Sequence, residues 1–204
     1  MASAGDEEPG FALAYRLYFL RHGETDWNLE HRLQGETDTG MNATGRAQAA
    51  RHAEVMAGLG EDWAGFRFAV SPMNRARETF EIIRARLGPG IEPRFDERLR
   101  EGSFGRWEGW TWAEVAEREP EGHATWLTKS WTTAPHGGET YGEIARRFAD
   151  FAREITGPTV VISHGGLSRA ARALYLGLDR TTLTALKVPQ RRFMRLEAGT
   201  VEWI

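Results

Sequence analysis

Three short segments of the sequence carry residue types that together could transfer a phosphoryl group. They are Arg21-His22, Ser71 with nearby Arg75, and Ser163-His164. Guanidinium groups donate forked hydrogen bonds that match the oxygens of a phosphate. One neutral imidazole could attack phosphorus while a second donates a hydrogen bond to a non-bridging oxygen. If the three segments converge, they form a site suited to phosphoryl transfer.

Phosphoryl transfer also needs a group that protonates the leaving oxygen. Glu101 is the candidate acid, because it follows a predicted third strand at residues 91–95. General acid catalysis of this kind contributes about 10²–10⁴-fold in rate. Glu24, Glu97 and Glu108 are nearby alternatives.

The three segments need strands to position them. Aromatic and β-branched runs predict strands at residues 15–20, 66–70 and 159–163, and each run stops at one of the segments. Helices are predicted at residues 44–59, 74–87, 141–155 and 165–176, and a terminal hairpin or edge strands at 193–196 and 201–204. This alternation predicts an α/β fold with a mostly parallel sheet. Ligands of such sheets bind beyond the carboxyl ends of the strands.

Composition limits the class of protein. The 204 residues, 41% of them hydrophobic, suit one compact domain, which we expect at residues 11–204 after a disordered tail at 1–10. The net charge of −3 predicts neither a nucleic-acid nor a membrane surface. The acidic start lacks the basic residues of a secretory signal, and the apolar run at 11–20 is too short to span a bilayer. We therefore expect a soluble, cytoplasmic protein.

Metal and thiol chemistry are not expected. The chain has no cysteine, which excludes thiol nucleophiles, disulfides and cysteine-bound metals. Four further histidines lack the spacing of metal ligands and are interpreted as surface residues: His31, His52, His123 and His136. For His136, a contact with the substrate is an alternative.

Several motifs resemble one known family. Arg21-His22-Gly23-Glu24-Thr25, followed by Trp27-Asn28, resembles the signature of the histidine phosphatase superfamily, which includes the phosphoglycerate mutases. Similar motifs follow in the family's order: Arg32-Leu33-Gln34-Gly35, Ser71 to Thr79, Leu99-Arg100-Glu101, Gly137-Gly138-Glu139-Thr140 and Ser163-His164-Gly165-Gly166. The resemblance covers nearly the whole chain and implies a three-layer α/β/α fold.

The resemblance also implies a role for each matching position. His22 would become phosphohistidine, and Glu101 would act first as acid and then as the base that activates water. Three side chains would hold the phosphoryl group: Arg21, Arg75 and His164. Four further positions would contact the substrate: Asn28, Gln34, Gly35 and the amide of Gly165. No metal or organic cofactor is implied, because fixed cations replace it.

The resemblance places a substrate lid at about residues 102–138. This stretch holds five of the eight tryptophans, and we expect short helices at 111–119 and 121–130, with one or two rings lining the pocket. The mutases of the family carry a longer insertion with more basic residues before the second histidine. Between Glu101 and His164 this chain has one lysine, Lys129. A phosphatase acting on a small phosphorylated metabolite is therefore favoured. The alternatives are a mutase and a non-catalytic binder of phosphorylated ligands, and the oligomeric state stays open.

Overall fold

A six-stranded sheet forms the centre of the protein. The computed structural model describes residues 13–204, so the tail predicted at 1–10 lies outside the described residues. The strands are β1 (Leu17–Arg21), β2 (Arg67–Val70), β3 (Pro93–Phe95), β4 (Thr159–Ser163), β5 (Met194–Glu197) and β6 (Thr200–Trp203). Their order across the sheet is β3-β2-β4-β1-β5-β6.

The sheet is mostly parallel, as predicted. Strands β3, β2, β4 and β1 run parallel, and β5 and β6 form an antiparallel hairpin that pairs with β1. Strand β4 lies between β2 and β1, and all five of its residues are buried. Its run of valine and isoleucine suits a strand covered on both faces. The three strands that end at candidate site residues are thus neighbours, and Arg21 pairs in register with Ser163.

Helices cover both faces of the sheet. They are α1 (Asp26–Leu29), α2 (Ala43–Gly58), α3 (Asn74–Leu87), α4 (Trp112–Arg118), α5 (Pro120–Lys129), α6 (Tyr141–Arg153) and α7 (Gly165–Leu176). Tyr18 and Leu20 of β1 pack with α2 and α3, whereas Leu17 and Phe19 pack with α6 and α7. Because successive side chains of a strand point to opposite faces, β1 contributes to both cores. This arrangement confirms the three-layer α/β/α prediction.

Local signals set the helix boundaries. The side chain of Asn42 caps α2 by accepting a hydrogen bond from the Gly45 amide (2.9 Å). Thr140 and Glu143 form a capping box at the start of α6. Helix α7 begins directly after His164 and ends at Gly177, which adopts the left-handed conformation.

The tryptophan-rich stretch forms a wall of short helices beside the sheet. Helices α4 and α5 pack against each other through Trp112 and Trp126, whose ring centroids lie 4.6 Å apart. Phe104 meets the Trp112 ring edge-on at 5.9 Å, and Trp126 contacts Tyr141 at the start of α6. We call these rings, Phe104, Trp112 and Trp126, the aromatic wall. Within residues 13–204, no helix has the length and apolar character needed to cross a membrane.

Candidate active site

A cavity of about 530 Å³ opens where β1, β2 and β4 end. Eight of the nine predicted site residues line it: Arg21, His22, Asn28, Gln34, Gly35, Arg75, Glu101 and Gly165. The ninth, His164, lies directly behind this lining. The sheet therefore brings together the segments that the sequence analysis singled out.

His22 is positioned by the strand that precedes it. Its backbone amide donates to the Ser163 carbonyl (2.9 Å), which extends the β1–β4 ladder by one residue. Its ring Nδ1 lies 2.7 Å from the Gly23 carbonyl. Since a carbonyl only accepts, Nδ1 carries the hydrogen and Nε2 keeps its lone pair. Burial, followed by the charges of Arg75 and Arg21, holds the pKa of His22 well below its ordinary value, so the ring is a neutral nucleophile.

Arg75 is fully buried and tied to the loop that crosses the cavity. Its terminal nitrogens donate to the carbonyls of Gly35 and Thr37, both at 2.9 Å. Burial lowers its pKa, whereas the carboxylates of Glu101 and Asp38 raise it. A guanidinium held by such fixed acceptors is already oriented before substrate arrives, which is the condition for electrostatic catalysis.

Arg21 lines the cavity and has a buried donor without a hydrogen-bond partner among the described residues. One terminal nitrogen donates to the Val188 carbonyl (3.0 Å), and the buried Nε has no partner among the described residues. Burial, followed by the charge of Arg169, lowers the pKa of Arg21 to about 10. A Cβ atom at Gly165 would lie 3.4 Å from this guanidinium, so glycine gives Arg21 room beside the start of α7.

His164 supports Arg75. Its Nδ1 accepts a hydrogen bond from Arg75 Nε (3.3 Å), so the hydrogen lies on Nε2, which is 2.7 Å from Ser71 Oγ. Burial and the charge of Arg75 hold the pKa of His164 well below its ordinary value. The rings of His164 and His22 lie 5.2 Å apart. In this arrangement both nitrogens of His164 are engaged by protein groups, and a direct contact with a phosphoryl oxygen stays a prediction.

Glu101 lies at the amino end of α7. Its carboxylate accepts hydrogen bonds from the amides of Gly166 (3.0 Å), Leu167 (3.3 Å) and its neighbour Gly102 (3.0 Å). These amides fix the position of the Glu101 carboxyl group at the start of the helix. A Cβ atom at position 166 would lie 2.5 Å from Glu101 Oε1, so a side chain there would displace the Glu101 carboxyl group.

The alternative acids lie outside the cavity lining and have other contacts. Glu24 accepts from the Asn42 amide nitrogen (3.1 Å), and Glu108 binds the backbone amide and hydroxyl of Thr37. The Glu97 side chain is 75% exposed. Glu101 is thus the carboxylate of the four that faces the reacting groups.

A second carboxylate fixes the backbone around Glu101. Arg147 of α6 donates to both oxygens of Glu139 and, with a terminal nitrogen, to the carbonyls of Arg98 and Arg100. Glu139 also accepts from the Ser103 amide (3.0 Å). The Gly-Gly-Glu-Thr motif therefore holds the segment that carries the acid.

Two further predicted residues, Asn28 and Gln34, line the cavity and have polar contacts of their own. Asn28 Oδ1 accepts from Gln190 Nε2 (2.9 Å) and from the Thr25 amide (3.3 Å). Gln34 Oε1 accepts from the Thr39 hydroxyl (2.8 Å). The side-chain NH₂ groups of Asn28 and Gln34 are the donors that could bind a substrate oxygen.

The structure adds residues that the sequence analysis missed. Arg169 and Tyr141 line the cavity, and so do Arg32 and His123 on the side of the aromatic wall. Arg169 lies one helical turn after Gly165, so the period of a helix was a signal that could have found it. Gln190 lies in a loop before β5, and only its tertiary contacts reveal it.

The interpretation of His52 as a surface residue is wrong. His52 is 3% exposed and its Nε2 donates to the Gln190 carbonyl (3.0 Å), and burial lowers its pKa to about 4. It shares the buried face of α2 with Ala49, Ala53 and Met56, at helical spacing. His31 and His136 are exposed, whereas His123 is half-buried at the cavity. Within residues 13–204, no cluster of three metal-ligating side chains is present.

The chain is similar to known proteins over nearly all of its described residues. The sequence profile of the histidine phosphatase superfamily (branch 1) matches residues 17–204. The chain belongs to this superfamily. Glucosyl-3-phosphoglycerate phosphatase of Mycobacterium tuberculosis is 35% identical over 186 residues, which cover 85% of this chain and 80% of that protein. A metal-independent phosphoserine phosphatase of Arabidopsis thaliana is 30% identical, over 81% of this chain and 69% of that protein.

Solved structures agree with the sequence relatives. The native mycobacterial glucosyl-3-phosphoglycerate phosphatase has a TM-score of 0.76 and 32% identity, over 88% of each chain. Its complex with inorganic phosphate also gives 0.76, at 31% identity, over 94% of this chain and 95% of that chain. The family, the fold class and the phosphatase class predicted from the sequence are confirmed.

Proposed function

We propose that this superfamily member hydrolyses small phosphomonoesters through a phosphohistidine at His22. The observation that carries the proposal is the state of His22. Its ring is neutral and its Nδ1–H is held by Gly23, so the Nε2 lone pair is free in a cavity that Arg21 and Arg75 make cationic. Two of the relatives are named as phosphatases, and the mycobacterial one was solved with inorganic phosphate.

The first half of the reaction forms the phosphoenzyme. His22 Nε2 attacks phosphorus, the bond from phosphorus to the leaving oxygen breaks, and Glu101 gives that oxygen a proton. The guanidinium groups of Arg21 and Arg75 stabilise the charge on the equatorial oxygens, which is where the transition state carries it. His164 holds Arg75 in place through its Nδ1.

The second half returns His22 to its starting state. Glu101, now a carboxylate, takes a proton from water, and the hydroxide attacks phosphorus while the bond from phosphorus to Nε2 breaks. The amides of Gly166 and Leu167 keep the carboxylate oriented between the two steps. Phosphate and the free alcohol are the products.

The test is to measure phosphate release over a panel of phosphomonoesters that includes 2- and 3-phosphoglycerate. We expect release of inorganic phosphate to exceed interconversion of the two phosphoglycerates. Faster interconversion would instead identify a mutase, and the absence of both activities would favour a non-catalytic binder. The lid role of residues 102–138 and the cytoplasmic location stay predictions.

A further inference from the structure

The cavity contains a cationic group that the proposed mechanism does not use. Arg169 projects from α7 into the cavity, and its Nε donates to the Leu186 carbonyl (2.9 Å). Thr184 and Ala185 line the cavity next to this anchor. Arg169 is therefore fixed at the side of the cavity formed by the segment Arg180–Ala185, with its side chain within hydrogen-bond reach of the Tyr141 hydroxyl.

Arg169 lies on helix α7, one turn beyond Gly165, and lines the same cavity as the two phosphate-binding arginines. The charges that act on His22 are those of Arg75 and Arg21, whereas the charge of Arg169 acts on Arg21 and on Tyr141. Along α7, Arg169 is four residues after Gly165, a rise of about 6 Å at 1.5 Å per residue. This separation suits a group on the substrate's leaving part better than the phosphoryl group itself.

Arg169 also differs from Arg32, the other additional arginine of the cavity, in whether a carboxylate pairs with its charge. Arg32 pairs with Glu30 (2.7 Å) and Glu114 (3.3 Å). Arg169 has no ion pair with a carboxylate of residues 13–204, and Tyr141, which is 4% exposed, lies beside it. A guanidinium without a carboxylate partner, next to a phenol in a cavity, favours an anionic ligand with two oxygens.

We propose that Arg169, assisted by the Tyr141 hydroxyl, determines specificity by binding a carboxylate on the leaving group of the substrate. The inference rests on the proposed function, because it assigns a substrate class to the same cavity: phosphomonoesters that carry a second acidic group. The cavity of about 530 Å³ has room for such a leaving group beside the phosphoryl group.

The test compares two esters that differ in one group. 3-Phosphoglycerate carries a carboxylate where glycerol 3-phosphate carries a hydroxymethyl group. In the native enzyme we expect kcat/KM to favour 3-phosphoglycerate. Arg169→Met should lower kcat/KM for 3-phosphoglycerate by about 10- to 100-fold, mainly through KM, as for a lost charged hydrogen bond. Its kcat/KM for glycerol 3-phosphate should stay within about threefold of the native value.

Two further variants complete the design. Arg169→Lys keeps the charge without the fork and should recover part of the preference. Arg172→Met is the matched control, since Arg172 lies three residues later on α7, donates to the Lys187 carbonyl and does not line the cavity. It should leave the ratio of the two kcat/KM values unchanged.

The outcomes separate this inference from the proposed function. Equal losses for both esters in Arg169→Met, or no loss for either, would overturn the carboxylate assignment while the enzyme remains a phosphatase. If the native protein releases phosphate from neither ester nor from nitrophenyl phosphate, the proposed function itself fails.

Discussion

The cavity has two sides that are built in different ways. The phosphoryl centre consists of His22, Arg21, Arg75 and Glu101, which follow neighbouring strands or meet the start of α7 and are held by backbone groups. The aromatic wall is carried by two short helices and by Phe104 in the loop before them, and its rings contact one another and neighbouring aromatic side chains. We infer that this difference separates chemistry from selectivity: under the proposed function the fixed centre acts on the phosphoryl group, and the wall and Arg169 would contact the leaving group.

The largest expected effect is the loss of the nucleophile. His22→Ala should lower kcat by about 10⁴-fold or more for every ester, because no other group of the centre can form the covalent bond. The exposed histidine variant His136→Ala should keep native turnover. Steady-state phosphate release measures both, and substantial residual turnover in His22→Ala would place the chemistry elsewhere.

The acid should give an effect that depends on the leaving group. Glu101→Gln should slow hydrolysis of alkyl phosphates by about 10²–10⁴-fold, and that of nitrophenyl phosphate much less, because nitrophenolate leaves without a proton. Glu97→Gln, in the same segment but exposed, is the control and should match the native enzyme. Equal losses for both leaving groups would argue against Glu101 as the acid.

Substitutions of Arg75 test whether its charge alone or also the geometry of its guanidinium group supports catalysis. We expect both Arg75→Met and Arg75→Lys to lose about 10²–10³-fold in kcat/KM, since lysine cannot bridge the Gly35 and Thr37 carbonyls and His164 together. Arg77→Met, two residues later and exposed, should have native activity. A fully active Arg75→Lys enzyme would show that charge alone is enough.

Acid should destabilise the folded protein, in part through His52. The folded-state pKa of His52 is about 4, below its ordinary value of 6.5. Below pH 6.5 the unfolded chain binds a proton that the folded chain refuses, so the free energy of unfolding falls until about pH 4, by up to about 3 kcal/mol. Urea unfolding of His52→Gln should show a shallower fall over this range. Because the pKa values of His22 and His164 are also lowered, part of the slope should remain, and an unchanged slope would contradict the assignment.

The aromatic wall should give the smallest effect, and on selectivity alone. Trp112→Leu should change the ratio of kcat/KM for esters with a ring in the leaving group to kcat/KM for esters without one. We expect a change of about 2- to 10-fold, the scale of one aromatic contact. Nitrophenyl phosphate should be compared with methyl phosphate, and Trp203→Leu on β6 is the control. A loss of kcat that is equal for all esters would show that the wall belongs to the catalytic machinery.

The two sides also differed in how well the sequence predicted them. Strand ends could be located because a β-branched run such as residues 159–163 stops abruptly at Ser163-His164. Arg75 could be placed because a parallel sheet brings such ends to one rim. The hydrogen bond from Gln190 to Asn28 and the ion pair between Glu139 and Arg147 could not be predicted. Each joins residues that become neighbours only through tertiary packing. His52 was missed because one histidine on a mostly polar helix gives little periodic signal, although its apolar neighbours share its face.

The central claim is a covalent phosphohistidine on His22, and trapping it is the most direct measurement. Glu101→Gln should be mixed with nitrophenyl phosphate, quenched in base and mapped by mass spectrometry, because loss of the base slows the second step and lets the intermediate accumulate. We predict one acid-labile, base-stable phosphoryl group on the peptide that contains His22, and none when His22→Ala is added. A phosphoryl group on another residue, or steady turnover with no trapped intermediate, would contradict the mechanism.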